Sequence, residues 1–409
     1  MIKKILKIIG TLFLLIIILI GILIYNTSSQ YKKLSEGDLT MEFLKDTIPF
    51  SYSTSGHILI NAKINDNEKD YKFILDSGAS SFIFTNFREE IQLENNGFAI
   101  GKNSSGSFFT TKIKKINSLQ IKNLKFINLN AKENDFNIDC LEDVYGIIGI
   151  GVMRHLIWNI DFENEIIIVS KKIENFKFQD NRIEIPLTEN KFSHHISTSI
   201  KFRENNKSTS VLVDLGNSGT LSLKESRVLK DSINFKSKNI LGIGSTGLAD
   251  NEKEISKEKF YLLDSIYFGK TNYAVNNLPV MTSPKGLNLL GLGFFKKYKT
   301  TISWFDKKLI LEPYENIIDF NFKTYGFSTK NDKEENKIII KSITENSSAS
   351  RLKIPLKSEV ISINSINMTD LKTYCEYKVT RNIGDSITIK IKHNDSIQQF
   401  SIKKEYLFN

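Results

Sequence analysis

Residues 57–81, HILINAKINDNEKDYKFILDSGASS, align without a gap to residues 195–219, HISTSIKFRENNKSTSVLVDLGNSG, at an offset of 138 (195 − 57). His57 falls on His195 and Asp76 on Asp214. Both copies read as strand, polar turn, strand: alternating apolar residues, then Asn-Asp-Asn-Glu or Arg-Glu-Asn-Asn, then an apolar run that stops at an aspartate. Downstream, Gly146-Ile147-Ile148-Gly149-Ile150-Gly151 matches Leu289-Leu290-Gly291-Leu292-Gly293, with Gly149 on Gly291 at an offset of 142 (291 − 149). The same offset puts Ile160 on Ile302 and Phe162 on Trp304, in paired strand patterns. Midway in each copy lies a small, polar, glycine-bearing loop, Gly101 to Gly106 and Gly242 to Gly247. An internal repeat of this kind predicts two β-rich lobes over residues 46 to 316.

A duplicated aspartate at a strand end has a chemical consequence. An apolar strand that ends in Asp-Ser-Gly-Ala-Ser places a carboxylate at the lip of a core, where burial raises its pKa. Two such carboxylates facing each other cannot both ionise easily, so the pair holds one proton and titrates as a unit. One oxygen can then take a proton from water while another gives one to a carbonyl. The glycine after each aspartate lets the backbone turn tightly and approach its twin. The bland competitor is an aspartate capping a turn before glycine, which any β protein can contain.

These residues resemble the pepsin/retropepsin-like aspartic proteases in a two-lobed, bacterial-type, single-chain form. Asp76-Ser77-Gly78-Ala79-Ser80 is similar to the family's Asp-Thr/Ser-Gly motif, and Ile147-Ile148-Gly149 and Leu289-Leu290-Gly291 to its apolar-apolar-Gly segments. The resemblance implies two homologous acid-protease β-barrel lobes and catalysis by Asp76 and Asp214. It also implies active-site loops supported by Ser77, Gly78, Ala79, Ser80, Leu215, Gly216, Asn217, Ser218, Gly149 and Gly291. Flaps would carry Gly101, Gly106, Gly242 and Gly247, and neither a metal nor an organic cofactor is implied. The departure is Asp214-Leu215-Gly216-Asn217-Ser218, with leucine where the family has a hydroxyl that hydrogen-bonds across the two motifs. Leu215 leaves Ser77 without a reciprocal partner. His57, His194 and His195 read as strand residues, because a carboxyl dyad requires no histidine, and Ser77 reads as structural, since no Ser-His-Asp grouping is evident.

The chain's 409 residues predict two to three folded units, and 40% hydrophobic with 25% charged residues is a globular composition. A net charge of +10 arises from dispersed lysines and not from a basic run interleaved with aromatics, which argues against nucleic acid. Cys140 and Cys375 sit in different units and in no metal-type spacing, so neither a disulfide framework nor a zinc site is expected. Lys3, Lys4 and Lys7 precede an uncharged stretch from Ile8 to Tyr25. This predicts a signal anchor over 8–25, a cytoplasmic tail over 1–7 and the remainder outside, with a removed signal peptide as the alternative.

Residues 26–45 read as a linker, 46–180 and 181–316 as the lobes, and 317–409 as a third unit. Strands are expected at Lys337 to Ile343, Glu359 to Ile363 and Ser386 to Lys392. This unit resembles a PDZ domain, with Tyr325, Gly326, Phe327 and Ser328 in the place of the carboxylate-binding loop and Thr369 to Arg381 as the groove helix. The expectation is a mostly β, membrane-anchored aspartic endopeptidase acting on peptide or protein substrates, with a PDZ-like module that takes a peptide ligand. Its lobes would pair within one chain. The alternatives are a non-catalytic peptide receptor on the same fold, kept open by Leu215, and pairing of first lobes between two chains.

Overall fold

In a computed structural model the chain is described over residues 2–40, 44–85, 90–103, 107–134, 139–141, 143–202, 208–229, 235–244, 255, 257–269, 271, 273–368, 370–379 and 384–408. It is mostly β. In the N-terminal half the strand Ile58–Ile64 pairs with Tyr71–Leu75, which runs parallel to Val144–Ile148. That strand is followed around the sheet by Phe82–Phe84, Leu124–Asn134 and Phe108–Ile121, which returns to Ile58–Ile64. The six strands form a closed barrel. Closure satisfies the backbone of every strand in it and removes the free edges that invite association.

The second half repeats the circuit. Ile196–Phe202 pairs with Ser208–Asp214, which runs parallel to Leu289–Gly291. Leu221–Lys224, Ala274–Ser283 and Lys259–Phe268 complete the ring back to Ile196–Phe202. A six-stranded sheet joins the halves through Ile157–Asp161 paired with Tyr298–Ser303, so that Trp158 lies opposite Ile302. Asn159 Nδ2 donates to Thr301 Oγ1 across that seam at 2.6 Å. One apolar core runs through both halves and includes Trp158, Ile160, Leu215, Ile302 and Trp304.

The last unit has its own core around Ile340, Val360, Ile389 and Tyr374. Its strands Phe327–Asp332, Lys337–Thr344, Glu359–Ile363, Ser386–His393 and Ser396–Lys403 lie close to the expected positions. Its longer helix is Leu371–Val379, inside the expected Thr369–Arg381, whose end residues lie outside the described set. The sheet is continuous with the second barrel, because Ser237–Gly242 pairs with Lys259–Phe268 through its first residues and with Ser342–Thr344 through its last. Gly242 has φ +97° and a Cβ there would lie 2.4 Å from the Lys341 carbonyl, so this crossing needs glycine.

Two expectations are corrected. Cys140 and Cys375 form a disulfide across a sequence separation of 235. Distance along the chain concealed it: folding brings the 139–141 segment of the first half against the helix Leu371–Val379. The residues expected as a linker from 26 are also helical, since one helix spans Ile2–Ser35. No proline or glycine interrupts positions 26–35, and docking of the end supplies what weak helix propensity does not. Leu34 and Ser35 are buried, Asn130 Nδ2 donates to the Lys33 carbonyl at 3.1 Å, and Arg154 Nε donates to the Ser35 carbonyl at 2.8 Å. The helix is long and apolar enough to cross a membrane, with a mean hydropathy of 3.1 in its most apolar stretch.

Candidate active site

Each aspartate is delivered by a buried strand. Tyr71–Leu75 ends at Asp76, whose N–H donates to the Ile148 carbonyl at 3.0 Å, and Ser208–Asp214 places Asp214 beside Gly291. The chain then turns on each carboxyl: Gly78 N–H donates to Asp76 Oδ1 at 2.7 Å, and Gly216 and Asn217 N–H donate to Asp214 Oδ1 at 2.9 and 3.0 Å. The two loops face each other closely. A Cβ on Gly78 would lie 2.5 Å from Asp214 Cγ, and one on Gly216 would lie 2.1 Å from Asp76 Oδ2. No side chain fits at either position.

The carboxyls hydrogen-bond to each other. Burial pushes Asp76 up, against the pull of the Gly78, Gly216 and Ala79 amides. Burial, and then the charge of Asp76, push Asp214 well above the ordinary carboxyl range. Asp214 is pushed up further than Asp76, so a proton held by the pair favours Asp214.

Beneath the carboxyls, Ser77 Oγ donates to the Val213 carbonyl at 2.8 Å and accepts from Leu215 N–H at 3.1 Å. The sequence expectation that Leu215 deprives Ser77 of its partner is therefore corrected, because the brace uses the backbone of the opposite loop and no side-chain hydroxyl. Leu215 itself is wholly buried in the shared core. Ala79 accepts from Ile150 N–H at 3.0 Å, and Asn217 accepts from Leu292 N–H at 2.7 Å, which ties each loop to its apolar-Gly segment. Gly149 and Gly291 allow those crossings, since a Cβ at either would sit 2.2 Å from a carbonyl oxygen, that of Ala79 or Gly219. Ser80 and Ser218 line the cleft above.

Of the three histidines read as strand residues, His57 and His195 stand at this site, whereas His194 Nδ1 meets Glu189 Oε1 at 2.6 Å. His57 Nε2 meets the Gly216 carbonyl at 2.9 Å and its Nδ1 meets Ser55 Oγ at 2.8 Å. His195 makes the mirror contact to the backbone of Gly78, and its second contact is to the backbone of Ser193, where His57 meets the Ser55 hydroxyl. Each imidazole thus holds the glycine that follows the opposite aspartate. Burial lowers His57 and takes His195 down to about 4, so both are neutral at pH 7. The signal was present in the sequence: Ser55 and Ser193 share the offset of the two aspartates (193 − 55 = 138), which gives Ser-x-His twice.

A cleft of about 1250 Å³ opens over the dyad, lined among others by His57, His195, Phe108, Phe109, Lys132 and Met281. Gly101 lies in the strand Asn95–Lys102, opposite Phe109 of the neighbouring strand. Gly242 lies in the strand joined to the last unit, and Gly106 and Gly247 fall outside the described residues. Tyr325, Gly326, Phe327 and Ser328 do not line this cleft and form the turn into the strand Phe327–Asp332. Gly326 has φ +83°, and its carbonyl accepts from Thr344 N–H at 2.8 Å and Ser347 Oγ at 3.3 Å. Among the described residues no group of acidic, histidine and cysteine side chains could hold a metal ion.

Two buried carboxyls that hydrogen-bond to each other, cradled by glycine turns, are arranged to share a proton and to act as paired acid and base. Residues 60–152, which carry Asp76 and Gly149, match a family model described as aspartyl protease. No curated protein matches the chain.

Proposed function

We propose that the chain is a membrane-anchored aspartic endopeptidase, with lobes over 46–180 and 181–316 outside the cytoplasm and a PDZ-like peptide-binding unit over 317–409. The observation that carries the reading is the mutual approach of the two loops, in which each glycine faces the opposite carboxyl and the carboxyls share a hydrogen bond. In the reaction, ionised Asp76 takes a proton from water as its oxygen attacks the scissile carbonyl, and Asp214 gives its proton to the carbonyl oxygen. The gem-diol then collapses. Its hydroxyl proton returns to Asp214, Asp76 protonates the leaving nitrogen, and the pair regains its starting state with no covalent intermediate.

For the last unit, the glycine turn at Tyr325–Ser328, the edge strand after it and the helix Leu371–Val379 beside that strand support the PDZ-like reading. The edge is engaged from within. Asn331 N–H donates to Asp139 Oδ2 at 3.1 Å, and Cys140 is bonded to Cys375 on the helix. On the PDZ-like reading, the chain's own 139–141 segment lies against the strand and helix between which an external peptide would dock.

The test is incubation of the full chain in detergent with a diverse peptide mixture across pH 4 to 8, reading new termini by mass spectrometry beside Asp76→Asn and Asp214→Asn. Cuts lost in both variants support an intramolecular dyad. A folded protein that binds peptides but yields no products would instead be a receptor.

A further inference from the structure

Among the described residues, Lys132 occupies the cleft without a counter-charge. It lies on Leu124–Asn134 opposite Phe82 and Ile113, is 7% exposed, and lines the cleft that holds the dyad. Its ammonium stands over two aromatic faces, 5.3 Å from the ring of Phe82 and 5.9 Å from that of Phe109. No carboxylate pairs with it among the described residues. The acidic neighbour in sequence, Glu133, sits on the other face of the strand and meets Lys114 at 3.4 Å. Gly101 helps to make the arrangement, because a Cβ there would lie 2.4 Å from the Phe109 ring. Ser80 Oγ, in the same cleft, also lacks a hydrogen-bond partner among the described residues.

A buried ammonium without an anion is costly, and ring faces compensate it less than a carboxylate would. Burial brings Lys132 down to about 8, so it is still mostly charged at pH 7. Its charge also helps to keep His195 neutral.

We propose that Lys132 is the floor of a substrate subsite for a carboxylate, so that this cleft selects peptides bearing an acidic group close to the bond over the dyad. The inference rests on the peptidase reading for its meaning, although the binding itself does not need turnover. The anion comes from an Asp or Glu side chain or from a peptide's C-terminal carboxylate, which Lys132 would recognise alike. A bond between an ammonium and a carboxylate in a desolvated cleft is worth about tenfold to a hundredfold in affinity over a neutral twin.

The experiment uses the full chain in detergent and non-cleavable octapeptides with a reduced central bond. Glu or Gln is scanned through every position, and each C-terminus is made as acid and as amide. The expected result is one position, or the free C-terminus, at which the acid binds about tenfold or more tightly than its neutral twin. Lys132→Met should bring that ratio to about one, Lys132→Arg should retain it, and Lys132→Glu should turn the preference to Lys-bearing peptides. Absence of any acid preference in the parent chain overturns the subsite, as does a preference that survives Lys132→Met, which would assign the anion to another lysine. Cleavage of peptides without acid preference leaves the peptidase reading standing and removes the subsite. Acid-selective binding without cleavage of the corresponding ordinary peptides does the reverse.

Discussion

The two halves trace the same ring of strands yet differ in how their glycine-bearing strands are held. In the first half, Asn95–Lys102 leans on the end of the N-terminal helix: Ile100 N–H donates to Gln30 Oε1 at 3.2 Å, Lys33 Nζ donates to the Asn96 carbonyl at 3.2 Å, and Leu34 packs with Ala99 and Ile113. In the second half, Ser237–Gly242 is stitched by backbone pairing to the last unit. One strand is tied to the apolar N-terminal helix and the other to the C-terminal unit. A duplicated fold can thus keep its chemistry symmetric while its two approaches to the cleft answer to different parts of the chain.

The sharpest way to break the symmetry is at the carboxyls. Asp76→Asn and Asp214→Asn should each lower kcat/KM by at least about a thousandfold, since each removes one partner of a coupled proton transfer. The check is turnover of any peptide found to be cut. Retained turnover in Asp214→Asn alone would make the second half a scaffold and end the equivalence.

Next in size is the covalent tie. Replacing Cys140 and Cys375 by serine should lower the unfolding free energy of the last unit by about 2–4 kcal/mol, the usual worth of a disulfide that closes a long loop. The same change should raise amide exchange along Phe327–Asp332, because Asp139 then holds the Asn331 amide only through an untethered segment. Exchange measured by mass spectrometry reads both effects. Unchanged protection would mean that the salt bridge of Asp139 with Lys333, at 3.7 Å, and the burial around it suffice without the bond.

The brace under the dyad gives a smaller, asymmetric effect. Ser77→Ala strands the Val213 carbonyl and the Leu215 amide in the core and should cost about 1–3 kcal/mol in denaturant unfolding. Leu215→Ser should also destabilise, but for a different reason: it removes a wholly buried apolar side chain. If Leu215→Ser were instead stabilising, the missing hydroxyl would be a real defect of the second half.

How far the sequence reveals this follows from the kind of signal. The β-rich repeat and the matching of Asp76 with Asp214 are local patterns repeated at fixed offsets, which alternation and the glycines carry; the order in which the strands close into a ring is implied only by the family resemblance. The Cys140–Cys375 bond and the Asp139 contact depend on where a loop lands after folding, and spacing carries no trace of them. His57 and His195 lie between these cases. Their offset was visible, but a histidine that begins a strand has no mark of the carbonyl it will meet. The N-terminal helix runs past its apolar stretch because docking of Leu34 and Ser35 decides its end, and hydropathy alone does not report docking.

The last comparison concerns acid. His195, held near 4 in the folded chain against an ordinary 6.5, is neutral where the unfolded chain would be protonated. Its share of stability is present above pH 6.5 and is lost as pH falls toward 4. Asp76 and Asp214 work in the opposite sense: their raised folded pKa values favour the folded state at pH below the unfolded carboxyl value, and that share is lost as pH rises through the folded values. The site therefore balances two opposed titrations. His195→Gln keeps a side-chain donor for the Gly78 carbonyl and removes the titration, so between pH 6.5 and 4 its stability should fall less steeply than that of the parent, by up to about 1.4 kcal/mol per pH unit. His155, also lowered to about 4 by burial, is the control: it lies away from the dyad, and its replacement should flatten the same limb of the curve while leaving the pH profile of cleavage unmoved. A cleavage profile unmoved by His195→Gln as well would reduce the paired imidazoles to packing and leave the glycine loops to hold themselves.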